Sequence, residues 1–94
     1  MDQLLSSKDM NDNMRAYYLI GEQRDTSYIP VLIRNLDDNR ISHHYRYKGM
    51  SVYQAKINAL VKVSGELPPN RITYLPDSVN IRFYEEWIKR KGYD

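Results

Sequence analysis

No cysteine occurs in the 94 residues, so neither disulfides nor a thiolate metal site supplement the core. That fits a reducing compartment, and a cytoplasmic protein is the expectation. An exported chain whose signal segment has been removed stays open beside it, since residues 1–15 lack a signal peptide's apolar heart. No apolar run approaches the ~20 residues of a membrane-crossing helix. Charge of one sign is scarce too: a net +2 does not argue for nucleic acid by itself. Phenylalanine and tryptophan occur once each beside nine tyrosines, so most aromatic surface carries a hydroxyl that needs a partner or an exit to water.

What is present reads as one small folded domain over residues 1–94. Hydrophobic residues make up 41% and charged residues 28%, the balance of a packed chain rather than a disordered one. A chain this short buries only roughly 60–65% of its unfolded surface, so every amphipathic segment must find a neighbour.

The organising segment is residues 51–65, SVYQAKINALVKVSG. Val52, Ala55, Ala59, Leu60 and Val63 recur at helical spacing, while Lys56, Asn58 and Lys62 point elsewhere. Ser51 and Gln54 stand at the two corners of a capping box, and Gly65 supplies the residue tolerant of positive φ that ends a helix. The two alanines let another helix backbone come close.

Three more helices flank this one. Met10, Met14, Tyr17 and Gly21 share a face over residues 10–22, with Asp9 and Asp12 near the positive helix start. Gly21 opens a short connection. Asp25 or Thr26 then caps a helix over residues 27–36, whose Ile29, Leu32, Ile33 and Leu36 fall at i, i+3, i+4 and i+7. Pro30 is tolerated there because the first amides of a helix have no internal acceptor. The last helix runs from Ser78 or Val79 to Gly92, with Ile81, Tyr84, Trp87 and Ile88 buried and Lys89, Arg90 and Lys91 complementing its negative end. Residues 1–9 read as a frayed lead-in or the tail of an earlier helix. Three of the four prolines fall in residues 66–77, an irregular, stiff connection. No segment reads as a strand, so the expected class is all-α.

The halves repeat at about forty residues, each a helix, a connection and a helix. Ile20, Gly21, Asp25, Ile29, Pro30 and Leu32, then Leu36 with Asp38, resemble the consensus of bacterial HEAT-like repeats, those of the PBS-lyase type. Val52, Ala55, Ala59 and Leu60 resemble the first helix of a following repeat. Tyr53 stands where that family carries an arginine, and the closing helix lacks the apolar–Pro–x–Leu run. The resemblance implies two antiparallel helical hairpins stacked as a short α-solenoid: repeat one at 10–36, an inter-repeat loop at 37–50, and repeat two with a C-terminal cap helix at 51–92. It also implies that the chain is a scaffold, and two repeats suit the end of a longer array or a unit that associates with itself.

Chemistry is hard to find. His43 and His44 are adjacent, a poor arrangement for one ion, with only Asp37 and Asp38 upstream, so no metal or cofactor is expected. Neither histidine has a serine or cysteine partner for nucleophilic catalysis, and Glu85-Glu86 reads as solvated helix surface. The expectation is no enzyme. Arg40, Tyr45, Arg46, Tyr47 and Lys48 remain as contact candidates. Basic residues interleaved with rings suit a protein interface, and the alternative is nucleic acid held across residues 40–48 by phosphate contacts and stacking.

Overall fold

A computed structural model describes residues 1–93. Five α-helices follow one another: α1 (Asp2–Ser6), α2 (Met10–Gln23), α3 (Ile29–Ile33), α4 (Val52–Ser64) and α5 (Ser78–Lys91), with a 3-10 turn at Thr26–Tyr28 leading into α3. Among the described residues there is no strand, only an isolated antiparallel bridge between Ile41 and Ser51. The class is all-α.

Capping residues set the helix starts. Asp9, Asp25, Ser51 and Asp77 each accept from a backbone amide of the turn they open, the Ser51 bond coming from Gln54 N–H at 3.0 Å. Gly65 and Gly92 close α4 and α5 at φ 72° and 79°. Helix α2 ends differently. Gly21 does not open a connection; the helix runs through it to Gln23, and Arg24 takes the left-handed conformation at φ 50°. Gly21 is used for proximity instead. A Cβ built on it would lie 3.0 Å from the Ala59 Cα, so α2 and α4 touch almost backbone to backbone.

Helix α4 is the centre. Its widest interface is with α2, through Tyr17 with Lys56, Gly21 with Ala59 and Glu22 with Lys62. The paired numbers rise together, so α2 and α4 run parallel. Helix α3 descends along α4, with Arg34 at Lys56 and Ile29 near Val63, and is therefore antiparallel to both. Helix α5 is a correction to the two-hairpin expectation. Asn80 meets Tyr53 at the start of α4, and Trp87, Arg90 and Val63 line one hollow at its end. These numbers rise together as well. Helices α4 and α5 point the same way, and the second pair is not an antiparallel hairpin.

The expected helix over 27–36 is also shorter than its periodicity. After the 3-10 turn, α3 lasts five residues, Arg34 is extended and Asn35 turns left-handed at φ 50°. At that end lies Lys56, expected to face away from the core but only 5% exposed. Its Nζ donates to the Arg34 carbonyl at 2.6 Å, supplying a donor at the carbonyl end of the helix. The lead-in is not frayed: the Asn13 amide donates to the carbonyls of Leu4 (2.8 Å) and Ser7 (3.2 Å), fastening α1 to α2.

The connection between α4 and α5 is stapled along its length. Buried Asn80 accepts from the Asn70 N–H at 2.9 Å and donates to the Asn70 carbonyl at 3.1 Å and to the Tyr53 hydroxyl at 3.3 Å. The Tyr84 hydroxyl donates to the Glu66 carbonyl at 2.7 Å. Burial pushes the Tyr17, Tyr53 and Tyr84 phenols above their ordinary 10.0. Once the unfolded chain begins to ionise these groups, the folded chain still holds their protons. The stability they contribute is complete below pH 10.0 and falls as pH rises through the folded values. Lys56, lowered by burial, acts with the opposite sign below its ordinary 10.5, but it is one group against three. The thermal midpoint is expected to drop above about pH 10, and to drop less in Tyr84→Phe, as followed by circular dichroism.

Candidate functional site

Residues 37–50 are built from their own ends inward. Ser42 N–H donates to the Met50 carbonyl at 2.9 Å and Gly49 N–H to the Ser42 carbonyl at 3.1 Å, closing the loop. The buried Ser42 hydroxyl donates to Asn11 Oδ1 at 2.9 Å and accepts from His44 N–H at 3.1 Å, pinning the loop base to α2. Below it, Tyr53 N–H donates to the Asp38 carbonyl at 2.8 Å, so the start of α4 and the loop are one piece.

The five contact candidates do not form one patch. Arg40 grips Asp38 with Nε at 3.0 Å and a second nitrogen at 2.7 Å. The guanidinium's hydrogen bond holds the Asp38 carboxyl below the usual carboxylate range. Arg40, Asp38, Tyr17 and Lys56 line a hollow of about 290 Å³, away from the loop tip. Burial lowers the Lys56 ammonium pKa, partly countered by Asp38. Its charge also lies 5.3 Å from the centre of the Tyr17 ring.

Tyr45 and Arg46 do meet. The His44 and Tyr45 rings stack at 4.5 Å, and Arg46 Nε donates to the Tyr45 hydroxyl at 3.3 Å. Tyr45 is 78% exposed. Together with Asn11, Asp12, Arg15 and Tyr47 they line an open hollow of about 250 Å³. Lys48 is exposed and lines neither hollow.

Tyr47 links this rim to a larger feature that the sequence reading did not find. It also lines a groove of about 440 Å³, mostly apolar, between α2 and α4. Met14, Ala55 and Ala59 line it from the helices, Met50 from the first loop, and Leu67 and Ile72 from the second. Leu67 is 76% exposed, an apolar side chain left in water beside a mostly apolar hollow. The small side chains at Ala55 and Ala59 were legible as a site of close helix approach. Closeness at Gly21 leaves a trough further along α2, and that requires the second loop in place to be seen.

Among the described residues, no three His, Cys, Asp or Glu side chains are grouped to hold a metal ion, His43 and His44 included. Among the same residues no helix is long and apolar enough to cross a membrane. No family model, curated protein or solved structure matches the chain.

Proposed function

We propose that the chain is a non-catalytic helical interaction module that takes a protein segment into the groove between α2 and α4. The observation that carries this is the groove itself: about 440 Å³ of largely apolar trough, open to water, with Leu67 and Tyr47 standing at its edges. An apolar concavity with a few polar groups is the usual form of a recognition site, and Tyr is a favoured anchor where rings must leave water. The scaffold reading has support from α2, α3 and α4. Helices α2 and α4 lie parallel at an offset of 40 residues, Glu22 against Lys62, with α3 antiparallel beside them. That arrangement supports reading them as one unit stacked, HEAT-like, on the first helix of the next. It extends no further, since α5 takes the opposite sense to α3.

A displayed library of short random peptides tests the reading. Peptides enriched on the wild-type chain are expected to be retained roughly tenfold less by Leu67→Ser and by Tyr47→Ala, with the helical circular dichroism unchanged. Leu67 is exposed enough that its replacement does not threaten the fold. Equal retention by wild type and Leu67→Ser overturns the groove assignment.

A further inference from the structure

Resting on that groove reading, we infer that the segment it takes is amphipathic and acidic: large apolar side chains in the α2–α4 trough, and carboxylates at the end that reaches the 42–50 loop. The trough is electrically lopsided. At one margin Lys62 is held by Glu22, and its ammonium sits 4.7 Å from the centre of the Tyr18 ring, so that cation is already answered within the chain. At the loop end, past the shared wall of Tyr47, the adjoining hollow carries the guanidinium groups of Arg15 and Arg46. Neither is ion-paired among the described residues. One carboxylate, Asp12, lines the same hollow, and it accepts from the Ser7 hydroxyl at 2.7 Å. Two planar forks against one occupied carboxylate leave a net positive mouth, and guanidinium groups bind carboxylates with matched paired geometry.

Ring geometry agrees with a protein ligand over a nucleic acid. The His44 ring stacks on Tyr45 at 4.5 Å and the Arg46 guanidinium lies 5.8 Å from the Tyr45 ring centre, contacts with which a stacking base would compete. The trough lining is mostly apolar, and its lysine, Lys62, is already paired with Glu22, so it suits a phosphate backbone poorly. The placement of Arg15 and Arg46 at the loop end fixes the direction of the acidic end. Both cations are exposed, so their pull is short-ranged, with a screening length of about 8 Å at physiological salt.

The same displayed library, selected at low salt, reads the charge preference. Enriched peptides are expected to pair large apolar residues with a net negative end. The double variant Arg15→Glu/Arg46→Glu is expected to bind them roughly tenfold more weakly and to enrich basic peptides in their place. Retained peptides with no acidic excess, or binding indifferent to the charge reversal, overturn the inference. In that event Leu67→Ser still weakens retention if the groove reading holds, so the two failures are told apart. A thymidine oligonucleotide that binds through Arg15 and Arg46 and is not displaced by the enriched peptides likewise overturns it, in favour of nucleic acid.

Discussion

Gly21→Val is expected to cost the fold about 1–3 kcal/mol, the range of an overpacked helix interface. The cause is specific. A Cβ at this position lies 3.0 Å from the Ala59 Cα and 3.4 Å from its Cβ. The first neighbour is backbone, which cannot rotate out of the way. The third is Lys62, whose Cδ at 3.2 Å belongs to a flexible chain and moves easily. Gly21→Ala is a closer contest, because alanine is favoured over glycine inside a helix by roughly 1 kcal/mol, which offsets part of the clash. Valine adds two further methyl groups at the same point and loses. Urea denaturation followed at the helical band measures both. Ala59→Gly is expected not to rescue Gly21→Val, since the obstructing atom is the Cα that glycine keeps. A valine variant as stable as the wild type, or full rescue by Ala59→Gly, would show that α2 and α4 are not in backbone contact.

The second large effect falls on Asn80. Asn80→Leu keeps the side-chain size and removes all three of its hydrogen bonds, leaving the Asn70 N–H, the Asn70 carbonyl and the Tyr53 hydroxyl without that partner. Unpaired buried polar groups cost about 1–3 kcal/mol each when water does not reach them. Asn70 is on the surface and recovers water readily, so the expected total is roughly 3 kcal/mol rather than the sum. Tyr53→Phe removes one orphan, and the double variant is expected to be less damaged than the sum of the two singles. A local readout accompanies the global one. Arg71 adjoins the staple, and trypsin is expected to cut there faster in Asn80→Leu under native conditions, because opening the strap no longer breaks the Asn80 bonds. Unchanged stability together with unchanged cleavage would mean that Asn80 does not hold the connection.

The sequence made the helix starts legible because their signals are local. Asp25 and Ser51 cap the turns they precede, and Gly65 and Gly92 end α4 and α5 as glycines with positive φ do. Gly21 shows why the same reasoning failed at the end of α2. A glycine at a helix margin signals a stop, but one on the buried face of a helix can signal a neighbour, and only the fold says which. Lys56 misled in a similar way: a lysine beside an apolar stripe is ordinarily solvated, and its carbonyl partner at Arg34 is 22 residues away. The direction of α5 was beyond local reading, since a connection over 65–77 is long enough for the chain to return in either sense. Of the candidate contacts, Tyr45, Arg46 and Tyr47 do share one hollow. Arg40 is claimed by Asp38 at a spacing of two residues, a pairing that simple alternation of charge does not reveal.

The shared direction of α2, α4 and α5 makes the molecule electrically polar from end to end. Aligned peptide dipoles add when helices run the same way, whereas an up-and-down bundle cancels them. The chain answers at both faces: Asp9, Ser51 and Asp77 present oxygen to the three amide ends, and Arg24, Lys62 and Lys89 to Lys91 stand at or near the three carbonyl ends. Side chains thus restore the balance that topology removed, and a swap of these acids and bases between the two faces would strain the assembly without moving one core atom.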